Sequence, residues 1–167
     1  AVLRSTGSGT IIATDIVDSR LDMAKSMGAD VVLNVAKTSA EARLEQVQDL
    51  TSGVGTDIVI ECAGLPGVFA EALDLVRRGG KVIEVGHYTD SGTTQVRPHQ
   101  ICNKDLDICG VWAYPQIQFQ TALDFLGRTN APLKDLITHH LPLTRLEDGL
   151  QMLGEEGIYK VVIEPHQ

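Results

Sequence analysis

Positive charge is scarce in this chain. Fourteen Lys and Arg stand against 22 Asp and Glu, for a net charge of −8 and a pI near 5.0. That balance argues against a phosphate-backbone partner such as DNA or RNA. No apolar run reaches the ~20 residues of a membrane-spanning helix. No signal-peptide pattern is visible, and the chain opens on Ala1 instead of Met. The three cysteines, Cys62, Cys102 and Cys109, form no CxxC pair. The odd count and this spacing point to reduced thiols and a cytoplasmic location. Low-complexity tracts and internal repeats are also missing. What is present is a chain of 167 residues, 43% of them apolar, enough for one domain with a core.

A more specific absence surrounds Asp15. This residue closes the apolar run Thr10-Ile11-Ile12-Ala13-Thr14-Asp15, and a helical pattern ending in Gly28-Ala29-Asp30 follows. An acid at the tip of the second strand of a nucleotide-binding fold holds an adenosine ribose by its hydroxyls. The phosphate-binding glycine loop should then lie about 20 residues earlier, yet only 14 residues precede Asp15. Gly7-Ser8-Gly9 supplies GxG, but the next required position holds Ile12 and the segment precedes a strand. It reads as a turn.

Along the chain, residues 1–6 read as the last turn of a helix and 10–15 as a strand. Asp18 is a candidate N-cap for a helix over 19–27 with Leu21, Ala24 and Met27 on one face. Val31-Val32-Leu33 is a short strand. Thr38-Ser39-Ala40-Glu41 fits a capping box, opening a helix that buries Ala40, Leu44 and Val47 and stops at Gly53. Strand 57–62 runs into Ala63-Gly64. Phe69, Ala72, Leu73 and Val76 have the i, i+3, i+4, i+7 spacing of a buried helix face. Arg77-Arg78 and Gly79-Gly80 suit that helix's end. Strand 81–85, a polar loop over 88–104, strand 106–112 and a helix marked by Phe119, Ala122, Leu123 and Leu126 follow. This alternation implies an α/β fold with a parallel sheet covered on both faces. After Pro132 come a strand near 136–141, a second capping box at Thr144–Glu147 opening a helix with Leu146, Leu150 and Leu153, and a strand over 160–164.

These residues resemble the medium-chain dehydrogenase/reductase family, in its zinc-type alcohol, polyol and threonine dehydrogenase group. The resemblance rests on Thr14-Asp15-Ile16-Val17-Asp18-Ser19-Arg20-Leu21, Ala24-Lys25 through Asp30, Glu61-Cys62-Ala63-Gly64, Gly79-Gly80-Lys81-Val82-Ile83, Val85-Gly86 and Tyr159-Lys160-Val161-Val162-Ile163. It implies an incomplete Rossmann-type doubly wound sheet over 1–127, lacking the first strand and glycine loop. Residues 128–167 would complete a catalytic domain in the intact enzyme. The chain is thus expected to be the C-terminal half of a longer dehydrogenase.

The resemblance also implies a site. Asp15 would favour NAD over NADP, since a carboxylate repels a 2′-phosphate; the plain alternative is a loop acid that helps cap the next helix. Arg20 matches a basic position beside the ribose, or is a solvated helix charge. Cys62, Ala63 and Gly64, then Val85, Gly86 and His87, then Val111, Trp112 and Ala113 end three strands and would line the nicotinamide pocket. Ordinary strand-end packing is the alternative, and for Trp112 a core role. Lys160 matches a basic residue near the cofactor pyrophosphate, or is a surface lysine. No catalytic residue and no metal ligand is assigned. His139 and His140 are adjacent and point to opposite faces of a strand, and His99 with Cys102 lacks further partners. Zinc is expected only in the N-terminal domain of the parent, acting on a small alcohol or polyol. The edge strand near 106–112 is expected to pair with its twin in a homodimer or homotetramer. Two rivals stay open: a non-catalytic or inactive module, and an S-adenosylmethionine-dependent methyltransferase-like domain.

Overall fold

A computed structural model describes residues 1–166. In chain order the elements are α1 (Val2–Ser5), β1 (Ile12–Asp15), α2 (Asp18–Ser26), β2 (Val31–Asn34), α3 (Ala40–Leu50), β3 (Thr56–Glu61), α4 (Pro66–Leu75) and β4 (Val76–Glu84). They continue with α5 (Pro98–Lys104), β5 (Asp107–Gly110), α6 (Ile117–Arg128), β6 (Ile137–Pro142), α7 (Leu146–Gln151) and β7 (Lys160–Glu164), with three short 3-10 turns between them. The strands pair as β1–β2, β3–β4–β5 and β6–β7, and every pairing is parallel. Helices alternate with strands, because a parallel pair needs a crossover to return the chain to the same sheet end. The chain divides into two compact units, one of Ala1–Thr38 with Leu123–Gln167 and one of Ser39–Ala122.

In the first unit, Arg4 clips the chain into its opening turn. Its guanidinium donates to the carbonyls of Ser8, Gly9 and Gly28 and pairs with Asp30, whose carboxylate accepts the Ile11 N–H at 2.7 Å. Gly7 has φ +82°, so Gly7–Gly9 is the turn its sequence context implies. Leu21 is the buried residue of α2. Val17, not Asp18, occupies the N-cap position. Asp18 is drawn away by Asn34 and Lys37, which donate to it at 2.6 and 2.5 Å.

In the second unit the core is Ala72, Leu73, Val76 and Val82, with Val59, Phe69, Val96 and Leu106 packed against it. The periodicity of α4 therefore marks the core face. The cap of α3 is Ser39, whose Oγ accepts from the Ala42 N–H at 3.2 Å. Thr38 is one residue early and donates instead to the Asn34 carbonyl. Ala40 is exposed, and Arg43 takes the buried place beside Val47. Helix α4 ends at Leu75 because Lys104 Nζ donates to the carbonyls of Leu73, Asp74 and Val76 at 2.7–2.9 Å. That is the role expected of Arg77-Arg78. The glycines 79 and 80 lie instead within β4, where residues 77–80 loop out between the pairings Thr56–Val76 and Ile58–Lys81. The polar segment 88–104 contains α5, which starts at Pro98.

The second capping box also fails. Thr144 lies inside a 3-10 turn, and α7 is preceded by Arg145 without a side-chain cap. Leu146, Leu150 and Leu153 are exposed; Gly149 is the residue α7 presses against Leu141, Val161 and Ile163. Phe119, Leu123 and Leu126 of α6 are exposed as well.

Candidate functional site

In the second unit three strands end in one row. Glu61 pairs with Glu84, and Glu84 with Gly110. Cys62–Gly64, Val85–His87 and Val111–Ala113 therefore all leave the sheet at its carboxyl end, where open α/β sheets bind their ligands. Glu84, Val85, His87, Gly110, Val111 and Trp112 surround one open cavity of about 340 Å³. Gly64, at φ +68°, is pressed against the backbone of Gly86: a side chain at Gly64 would sit 2.5 Å from the Gly86 carbonyl oxygen. Trp112 is exposed, so it is not a core residue.

A buried polar cluster underlies this rim, and neither of its carboxylates was singled out from the sequence. The Glu61 side chain has no exposure. One of its oxygens accepts the Ala63 and Gly64 N–H groups at 2.8 and 2.9 Å, which fixes the turn after β3. The other is buried without a hydrogen-bond partner and lies 3.6 Å from His87 Nδ1. Glu84 shares that ring nitrogen at 2.7 Å, and its own second oxygen is also buried and unpartnered. Burial, then the adjoining Glu84 carboxyl, raises the Glu61 carboxyl above the usual range. Burial would raise Glu84 too, but the hydrogen bond from His87 and the adjoining Glu61 carboxyl outweigh it and hold Glu84 below its ordinary value. The hydrogen bond to Glu84 raises His87. Burial and the two carboxylates keep the Cys62 thiol protonated to higher pH.

These shifts carry opposite signs for stability. His87 is raised in the folded chain, so its contribution is complete below its unfolded value near 6.5 and disappears as pH rises through the folded value. Glu61 is also raised, so stability falls as pH climbs from its unfolded value near 4.5 through the folded one. Glu84 is lowered; its contribution is present above 4.5 and is lost as pH falls through the folded value. The melting temperature in metal-free buffer should therefore decline as pH rises above the ordinary histidine value of 6.5. His87→Gln should flatten that decline, and an unchanged slope would show that the cluster does not set it.

Asp15 and Arg20 lie in the first unit, at the carboxyl end of β1 and on α2. Asp15 Oδ1 accepts the Val17 N–H at 2.9 Å, and Oδ2 is 3.8 Å from Arg20 Nη1. One oxygen thus does the local turn work of the plain alternative, and the other faces a cation. Arg20 also lines a shallow groove of about 250 Å³ with Ile16, Asp18, Glu155, Gly157 and Tyr159. Tyr159, given no site role by the sequence, has a hydroxyl that donates to the Ser19 carbonyl at 2.6 Å and ties the start of β7 to α2. Lys160 is the exposed first residue of β7. His140 Nδ1 lies 2.7 Å from Glu164 Oε1, while His139 is half-buried.

Parallel strands with helical crossovers, an acid at a strand tip and aligned strand ends define the class: an α/β fold of nucleotide-binding type. The zinc-binding dehydrogenase family model matches residues 1–128. The chain belongs to that family and corresponds to the C-terminal half of its members. It is 31% identical over 169 residues to sorbitol dehydrogenase of Bacillus subtilis (strain 168), covering 100% of this chain and 46% of that protein. The structure of an alcohol dehydrogenase from Thermotoga maritima superposes with a TM-score of 0.92 at 28% identity, over 97% of this chain and 45% of the other. A Sinorhizobium meliloti protein bound to NADP shares the fold with a TM-score of 0.87 at 21% identity, over 98% and 47%. The chain spans about half the length of the curated relatives it matches.

Proposed function

We propose that this chain is the cofactor-binding half of an NAD-dependent alcohol or polyol dehydrogenase. The observation that carries the reading is Asp15, at the carboxyl end of β1 with one oxygen directed to Arg20, in a chain of the zinc-binding dehydrogenase family. Asp15 would accept hydrogen bonds from the ribose hydroxyls and repel a 2′-phosphate, while Arg20 would balance its charge. When bound, the nicotinamide would supply the hydride-transferring carbon. The strand ends at Cys62–Gly64, Val85–His87 and Val111–Ala113 would present small side chains and backbone groups to the ring, and Lys160 would serve the pyrophosphate. The Sinorhizobium neighbour's NADP does not decide cofactor choice here, because at 21% identity the likeness extends to the fold alone.

Within the parent, residues 1–127 would hold the cofactor and 128–167 would complete the catalytic domain. Cys62, Cys102 and Cys109 are separate free thiols. The reading therefore puts the substrate-polarising zinc on residues outside this chain, where it would act as a Lewis acid on the alcohol oxygen. The chain alone should turn over no alcohol. A cytoplasmic location fits the reduced thiols, and no described helix is long and apolar enough to cross a membrane. The parallel pairing of β6 with β7 speaks against the methyltransferase rival, which expects a reversed final strand.

The test is steady-state kinetics on an enzyme rebuilt around this half. Losing one charge-assisted hydrogen bond costs about 1.5–3 kcal/mol. Asp15→Ala should thus weaken NAD binding roughly tenfold or more and narrow the gap to NADP. Equal efficiency with both cofactors before mutation would sink the reading.

Assembly follows from β5. It is an edge of its sheet, and all four of its residues are exposed. An unpaired edge invites a second strand, and a two-fold contact lets one sequence supply both sides. The reading makes the parent a homodimer, or a tetramer of dimers, through residues near 106–112. Ile108→Pro would remove a backbone donor and should shift sedimentation toward monomer. An unaltered oligomer would count against edge pairing.

A further inference from the structure

We propose that Glu61, Glu84 and His87 form a binding site for a divalent transition-metal ion of the zinc or manganese kind. Each residue offers one ligand atom, and these atoms lie within 4.8 Å of one another. The independent sign of a ligand is the buried carboxylate. Glu61 has no side-chain exposure, yet its second oxygen has no hydrogen-bond partner and is directed into the cluster. Glu84 adds a second such oxygen. If both carboxylates are ionised they can only accept, and neither satisfies the other. His87 bonds Glu84 at 2.7 Å but stands 3.6 Å from Glu61, so the buried Glu61 oxygen has no partner within hydrogen-bond reach; a buried charge is stable only when it is paired or bound to a metal.

The geometry and the donor types suit a metal. Ligands about 2.1 Å from a tetrahedral ion stand roughly 3.4 Å apart, and Glu61 Oε2 already lies 3.6 Å from His87 Nδ1. The ion would replace the 2.7 Å hydrogen bond between His87 and Glu84, while Glu61 keeps its other oxygen on the Ala63 and Gly64 amides. Two carboxylates and an imidazole, with no thiolate, select borderline ions over soft ones. Three protein ligands leave a position for water or another donor. Glu84 and His87 also line the open cavity at the strand ends, which provides an entry path. The histidines judged from sequence spacing gave no metal site. This one is assembled by strand register, through the pairing of Glu61 with Glu84.

Cobalt(II) is a suitable probe because its visible bands report nitrogen and oxygen ligands. The chelator-treated 167-residue chain would be dialysed against Co²⁺, and bound metal and absorption measured. One Co²⁺ per chain with low-symmetry visible bands is expected, together with a higher melting temperature. Glu84→Gln and His87→Gln avoid the residue that holds the turn after β3. Each should weaken binding at least tenfold with the circular dichroism of the chain unchanged. A chain that keeps its circular dichroism but retains no Co²⁺ would overturn the proposal and leave a shared proton as the positive charge. Equal retention by both variants would overturn it too, placing the ion elsewhere.

Discussion

Gly64→Ala should cost the folded chain about 2–5 kcal/mol, from left-handed strain and overpacking together. Gly64 has φ +68°, a conformation costing an L-residue with a side chain roughly 1–2 kcal/mol. The added carbon would also sit 2.5 Å from the Gly86 carbonyl oxygen. That atom is backbone, so no flexible side chain can swing away, and overpacking adds about 1–3 kcal/mol. The turn is held from within as well, since Glu61 binds the Ala63 and Gly64 amides. Gly67→Ala is the control. Gly67 lies in α4 with open space around it, and alanine there should stabilise by up to ~1 kcal/mol. Urea unfolding of both variants measures the contrast. A loss below ~1 kcal/mol at Gly64 would mean the two strand ends are less tightly joined than described.

Arg43→Met should destabilise by about 2–4 kcal/mol, near the cost of breaking a buried ion pair. Arg43 is 5% exposed. It meets Glu71 in a two-pronged contact, Nε to Oε1 and Nη2 to Oε2, both at 2.6 Å, joining α3 to α4. Removing the guanidinium leaves the Glu71 carboxylate, itself only 19% exposed, without its partner. Replacing both residues by apolar ones should recover most of the loss. Denaturant melts of the single and double variants decide this. A double variant no better than Arg43→Met would show that packing of the long side chain, not the stranded charge, dominates.

Reading the sequence worked where one local pattern decides the outcome. The α4 face was visible because its spacing is local and its residues apolar. The strand order of sequence elements, and hence the row of strand ends carrying Cys62–Gly64, Val85–His87 and Val111–Ala113, followed from the alternation. Capping was harder. At the first proposed box Ser39 took the position, because Thr and Ser side by side offer the same hydroxyl; at the second, Thr144 is held inside a 3-10 turn. Helix α5 went unread because its seven residues carry little apolar periodicity, although Pro98 signalled its start. Arg43 was unreadable because a charged residue is buried only when a distant partner meets it, here Glu71. The Glu61–Glu84–His87 cluster depends on register. Paired positions on adjacent parallel strands send side chains to one face, so aligning the ends of β3 and β4 would have exposed it.

The adenosine grip is the central claim, and it is tested most directly by titrating the purified chain with NADH, following nucleotide fluorescence, with NADPH and S-adenosylmethionine in parallel. The account predicts saturable NADH binding, weaker NADPH binding, no S-adenosylmethionine binding and NADH binding weakened roughly tenfold or more in Asp15→Ala. Absence of NADH binding, equal affinity for NADPH, or saturable S-adenosylmethionine binding would contradict it.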